Sequence, residues 1–154
     1  MLSHLLTPAN INADLESAEK EEVFEEMLEM IVASQPSVDR QDALNALMQR
    51  EALQTTGIIP GIAVPHAQCA SMRGTALALG LSRNGVEYDS LDGSPVNFII
   101  MMLFAEGDTE SHLQTMKDAA NLLQAPDFLK TIMEKKTPQE IFDAVCNFEM
   151  SLQG

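Results

Sequence analysis

Pro95-Val96-Asn97-Phe98-Ile99-Ile100-Met101-Met102-Leu103-Phe104-Ala105 is almost continuously apolar. A run of that length without polar alternation suits a central strand covered by helices on both faces, since each side chain then meets a core. Upstream, Thr75-Ala76-Leu77-Ala78-Leu79-Gly80-Leu81 alternates smaller and larger residues and reads as a second strand. Asn84-Gly85 signals a turn, residues 86–88 a short edge strand, and Leu91-Asp92-Gly93-Ser94-Pro95 a further turn. Strands this close in sequence imply that part of the sheet is antiparallel. Residues 62–64 form another short strand.

Helical patterns flank these strands. Residues 19–34 space Val23, Phe24, Met27, Leu28, Met30 and Ile31 three and four apart, and Gln35-Pro36 ends the helix. A second helix opens near Ser37 to Asp39 and turns Ala43, Leu44, Leu47 and Met48 inward. It ends around Arg50-Glu51, which leaves Arg50 near a helix end facing the following loop. After the apolar run, Asp108 or Thr109 can cap a helix with Leu113, Met116, Ala120 and Leu123 on one face and His112 in its first turn. Residues 127–136 suit a short helix. Thr137-Pro138-Gln139-Glu140 is a capping box that opens the last one. The expected architecture is α/β: one domain over residues 1–154, a three-layer α/β/α sandwich with a mixed parallel and antiparallel sheet flanked by helices.

Composition narrows the function. A net charge of −14 argues against nucleic-acid binding, which depends on neutralising backbone phosphates. No apolar run approaches the roughly 20 residues that span a bilayer, and residues 1–8 lack the basic region and apolar stretch of a secretory signal. The expectation is a cytoplasmic protein without a transporter domain. Cys69 and Cys146 have no metal-ligand spacing and suit reduced packing positions. Neither metal nor organic cofactor is implied.

The chemistry centres on Thr55-Thr56-Gly57-Ile58-Ile59-Pro60-Gly61-Ile62-Ala63-Val64-Pro65-His66-Ala67, where a short apolar strand ends on a histidine beside a proline. Pro65 fixes its own φ and biases Val64 towards extended geometry, so stiff backbone positions the imidazole. An unperturbed histidine is substantially neutral, hence nucleophilic, at physiological pH. A lone histidine of this kind is often only the cap of a buried strand. His112, in a helical first turn, faces a choice of its own between capping the helix and hydrogen-bonding an anion held at the dipole's positive end.

The string Gly61-Ile62-Ala63-Val64-Pro65-His66-Ala67 resembles the enzyme IIA component, fructose and mannitol type, of the bacterial phosphoenolpyruvate-dependent sugar phosphotransferase system, with its nitrogen-regulatory branch. Gln49-Arg50-Glu51 with Thr55-Thr56-Gly57 is similar to that family's Arg-Glu and Ser/Thr-Gly approach. Residues 98–105, then Glu106-Gly107-Asp108 and His112-Leu113, resemble its strand, loop and second-histidine helix. The resemblance implies that His66 accepts a phosphoryl group from the phosphocarrier HPr and passes it to an enzyme IIB. It further implies that His112 and Arg50 act in the transfer, with Thr55, Thr56 and Gly57 as further phosphate contacts. Two departures stand out. Gly57-Ile58-Ile59-Pro60-Gly61 replaces the usual Gly-Ile-Gly-Asn-Gly, and Gln68-Cys69 replaces a common basic residue, so cationic support falls to Arg50.

Two other readings remain open at this level. One keeps phosphorylation but makes its output regulatory, through target proteins that distinguish the two forms. The other is a binding module of the same fold without phosphotransfer. For a carrier, Ile58, Ile59 and Ala67 would supply shared apolar partner contacts, and Glu106, Asp108 and Glu110 an acidic rim.

Overall fold

The computed structural model describes residues 1–153. Short 3-10 turns at Leu2–Leu5 and Pro8–Asn10 precede β1 (Ile11–Asn12), α1 (Lys20–Ser34), α2 (Arg40–Leu53), β2 (Ile62–Ala63), β3 (His66–Cys69) and β4 (Thr75–Val86). Then follow β5 (Val96–Ala105), α3 (Thr109–Leu123), α4 (Phe128–Met133) and α5 (Pro138–Gln153).

The apolar run is β5, the centre of a mixed sheet. It pairs antiparallel with β4 and, on its other edge, parallel with β2 and then β3, while β1 lies parallel to β4. Period-two alternation sends Ile99, Met101 and Leu103 into a core shared with α1 and α2. Phe98, Ile100, Met102 and Phe104 enter the opposite core, under α3, α4 and α5. Each such side chain removed from water contributes roughly 1.5–3 kcal/mol. In β4 the small Ala76 and Ala78 face α1 and α2, and Leu77, Leu79 and Leu81 face the other helices. The α/β/α layering expected from the sequence is therefore the observed one.

The starts of α2, α3 and α5 are capped by side chains. Asp39 accepts from the Asp42 N–H at 3.0 Å and Asp108 from the Ser111 N–H at 3.3 Å. Thr137 and Glu140 exchange the reciprocal bonds of a capping box, each 3.2 Å.

Four expectations change. Asn84-Gly85 is no turn, and residues 86–88 form no separate edge strand. Instead β4 continues to Val86 through a register irregularity after Leu81, with Gly85 at φ 87°. The signal was sound chemically, since Gly85 adopts the left-handed conformation, but the strand absorbs it as an irregularity. The strand through Ala63 does not end on His66; after a two-residue break it resumes there as β3. In α3 the inward face is Thr115, Ala119, Leu122 and Leu123, whereas Leu113 is 66% exposed. Finally, Ala67 is buried against the α1 and α2 core instead of standing at the surface.

Candidate functional site

His66 owes its place to an edge strand that breaks without slipping. Ile62 pairs with Phe98 and Ala63 with Ile99, and beyond the break His66 pairs with Met102 at the same offset. Pro65 has no N–H to give the ladder, yet its carbonyl accepts from Met102 N–H at 3.0 Å. The N–H of Val64 turns away to the Thr56 carbonyl at 3.4 Å. Because register is kept, alternation is kept. Ile62, Val64, His66 and Gln68 face the α3 layer, while Ala63, Ala67 and Cys69 pack under α1 and α2.

The carbonyl freed at Val64 defines the histidine's chemistry. His66 Nδ1 lies 2.8 Å from Val64 O. A carbonyl oxygen only accepts, so Nδ1 carries the proton and donates, and Nε2 keeps a lone pair. Burial holds the imidazolium form below its ordinary range; the Val64 bond opposes this, Arg50 and His112 add to it, and Glu51 opposes it weakly. The outcome is a half-buried, neutral imidazole with one defined nucleophilic nitrogen.

His112 sits in the first turn of α3, its N–H donating to Asp108 O at 3.2 Å. Its ring lies edge-on to His66, with centroids 5.8 Å apart and planes at 71°. Phe104 stacks beneath it at 4.3 Å and Gln68 Nε2–H donates to its Nδ1 at 3.4 Å. In the neutral ring that bond leaves the hydrogen on Nε2. Arg50, in the last turn of α2, donates through Nη1 to Gln54 O at 2.8 Å and lines hollows on both sides of His66. Among the described residues no carboxylate forms an ion pair with it. Its guanidinium charge is thus available to an anion at His66.

The expected phosphate contacts at residues 55–57 lie elsewhere in the hydrogen-bond scheme. The Thr56 N–H donates to Glu51 Oε2 at 3.1 Å and its hydroxyl is shared by Glu51 and Tyr88. The Gly57 N–H donates to Thr55 Oγ1 at 3.1 Å. The Thr55 hydroxyl hydrogen is left without an assigned acceptor. Structure thus brings His66, His112 and Arg50 together and commits Thr56 and Gly57 to the loop itself.

Beside His66 opens an apolar cleft of about 330 Å³. Ile58, Ile59 and Val64 form one wall; Met116, Ala120 and Leu123 of α3 form the other. Part of the apolar stripe expected in the core of α3 therefore lines a surface cleft. On the other side of His66, Leu53, Gln68 and His112 border a second hollow, and Leu53 is 85% exposed. Among the described residues no His, Cys, Asp and Glu side chains cluster as a metal site, and no helix is long and apolar enough to cross a membrane.

A half-buried neutral imidazole at a strand break, a second imidazole, a guanidinium without an ion-pair partner among the described residues and apolar walls thus meet at one opening. Residues 4–147 match the family model "Phosphoenolpyruvate-dependent sugar phosphotransferase system, EIIA 2", and the chain belongs to that family. It is similar to the PTS system fructose-specific EIIABC component of Bacillus subtilis, 36% identical over 94% of this chain. The match spans only 23% of that relative's length. The nitrogen regulatory protein IIA-Ntr from Neisseria meningitidis superposes with a TM-score of 0.85 at 27% identity, over 94% of this chain and 98% of that one. The Escherichia coli enzyme IIAMTL, solved in complex with phosphorylated enzyme IIBMTL, shares the fold with a TM-score of 0.78 at 19% identity, over 92% and 97% of the two chains.

Sequence reading missed the groups that hold the histidines: the Val64 carbonyl, Gln68 and Phe104. A signal for two of them existed. Gln68 lies two positions from His66 on a strand and so shares its face, and Phe104 is its register partner.

Proposed function

We propose that this protein is a phosphohistidine carrier in which His66 Nε2 accepts a phosphoryl group from the phosphohistidine of HPr and passes it to an enzyme IIB. The observation that carries this reading is the Nδ1–H bond of His66 to Val64 O, which leaves one nitrogen nucleophilic without any base. In the step, the Nε2 lone pair forms a bond to phosphorus as the donor's N–P bond breaks and its electron pair returns to the donor imidazole. No proton leaves His66. The positive charge that develops on the ring is shared through Nδ1–H with the Val64 carbonyl.

Phosphoryl transfer of this kind is mostly positioning and charge stabilisation. Arg50 neutralises the equatorial oxygens with a planar donor fork. His112 supplies an N–H donor beside them. The apolar residues Leu53, Ile58 and Met116 surround this opening and give successive partners a common, water-excluding contact. Membership in the EIIA 2 family and the fructose-specific relative support a role in sugar phosphotransfer.

Incubation with phosphoenolpyruvate, enzyme I and HPr tests the reading. The expected result is one acid-labile phosphoryl group, lost in His66→Ala. A wild-type protein that stays unmodified beside a competent HPr, or a modification that survives His66→Ala, would overturn it.

A further inference from the structure

Glu51 is a buried carboxylate with 6% exposure, and the transfer step above makes no use of it. It accepts from Lys20 Nζ at 3.1 Å, the Thr56 N–H at 3.1 Å, the Tyr88 O–H at 2.8 Å and the Thr56 hydroxyl. Lys20 also lies over the Tyr88 ring, 4.4 Å from its centroid. A carboxylate so enclosed is costly to bury and persists only when all its lone pairs are used. The four contacts come from the start of α1, the loop after α2 and the segment beyond β4. All three converge on Glu51, which Thr56 meets through both its N–H and its hydroxyl.

Thr56 in turn holds the residue on which His66 depends. Its carbonyl accepts the Val64 N–H at 3.4 Å, the one backbone bond that holds the Val64 N–H outside the β5 ladder. With its N–H directed there, Val64 presents its own carbonyl to His66 Nδ1 at 2.8 Å. Gly57, next to Thr56, is likewise pinned: its carbonyl accepts from the Leu91 N–H at 2.9 Å, and an added Cβ would fall 2.9 Å from Ser90 Cβ. The loop is therefore anchored on both sides of the Thr56 carbonyl.

We infer that Glu51 is the positioning residue of this site, setting the His66 tautomer through Thr56 and Val64 without touching the phosphoryl group. The inference rests on His66 Nε2 being the acceptor in the proposed function. Its weak electrostatic support of the imidazolium acts in addition to this mechanical role.

The test uses protein labelled with 15N-histidine, whose three histidines can be assigned by single substitutions. Long-range proton–nitrogen correlation reports which nitrogen of His66 carries the proton. Wild type should show the Nδ1–H tautomer. Glu51→Gln, which keeps the volume but cannot accept on both sides, should give a tautomer mixture and slow phosphoryl acceptance by roughly ten- to a hundredfold. Glu149→Gln is the control, because Glu149 is equally buried and holds only the Leu2 and Ser3 N–H groups. It should lower stability with no change at His66. If Glu51→Gln fails to fold, Tyr88→Phe removes one donor and should move the tautomer in the same direction to a lesser extent. A wild-type tautomer and rate in the Glu51 or Tyr88 variants, or equal changes in the Glu149 control, would overturn the inference. A wild type that accepts no phosphoryl group would count against the carrier function alone, and the tautomer comparison would still decide the role of Glu51.

Discussion

The imidazole of His112 lies flat on the ring of Phe104, with centroids 4.3 Å apart and planes 10° from parallel. Phe104 is fully buried in β5, so the central strand sets the height and tilt of a side chain that belongs to α3. The contact couples the two histidines. β5 registers His66 through Met102 and supports His112 through Phe104. Phe104→Leu should keep the fold, lower stability by roughly 1–2 kcal/mol in chemical denaturation, and broaden the His112 ring resonances. Transfer should slow with unchanged docking affinity. An unchanged rate would show that the stack is packing alone.

Arg50 and His112 are each expected to stabilise the charge that develops on the phosphoryl oxygens. Losing one such donor typically costs on the order of 10² to 10³ in rate. Arg50→Ala and His112→Ala should fall in that range with wild-type circular dichroism, and Arg50→Lys should also be impaired because an ammonium lacks the planar fork. Rapid-quench measurement of phosphoryl transfer decides this.

Burial, seconded by the charges of Arg50 and His112, holds the His66 pKa below the ordinary histidine value of about 6.5. The unfolded chain therefore takes up this proton at a higher pH than the folded protein. As pH falls from 6.5 towards the lower folded value, the residue's contribution to stability is lost; above 6.5 it is constant. A nuclear magnetic resonance titration should place the His66 midpoint below 6.5, and His66→Gln should flatten the stability slope in that window. Phosphoryl acceptance should persist to lower pH than a free imidazole would allow. A midpoint at or above 6.5 would contradict the desolvated site.

Leu53, Ile58 and Met116 surround the opening at His66, and Leu53 and Ile58 are 85% and 50% exposed. Centrally placed apolar contacts commonly cost 2 kcal/mol or more on disruption, about thirtyfold in affinity. Ile58→Glu and Met116→Glu should weaken HPr binding by about that factor in calorimetry without unfolding the domain. Wild-type affinity in both variants would move the docking surface elsewhere.

Of the acidic rim, Glu106 and Glu110 are exposed, whereas the Asp108 carboxylate caps α3. Only the first two are free to steer a basic partner. Double reversal to Lys should flatten the salt dependence of association, because exposed charges are screened over about 8 Å at physiological salt. Equal slopes in stopped-flow association would remove the rim from the encounter.

The sequence by itself determined the layering and the identity of the chemical groups. Eleven residues from Pro95 to Ala105 without a charge suit a strand between two apolar layers, and Pro65 beside His66 marks a histidine held by stiff, extended backbone. Those are local constraints, carried by residue type and spacing. Helical spacing likewise found the apolar stripe of α3, but a stripe looks the same whether a core or a cleft faces it. Only the packing of α3 across from residues 58–64 turned Met116 and Ala120 towards His66. The proton position on His66 was also a tertiary matter, since it depends on the direction of the Val64 carbonyl, and that follows from Thr56. Glu51 shows why such facts escape a linear reading: its partners come from Lys20, Thr56 and Tyr88, far apart in sequence. A carboxylate's environment is made of groups that the chain brings together only on folding, and no periodicity in the sequence encodes it.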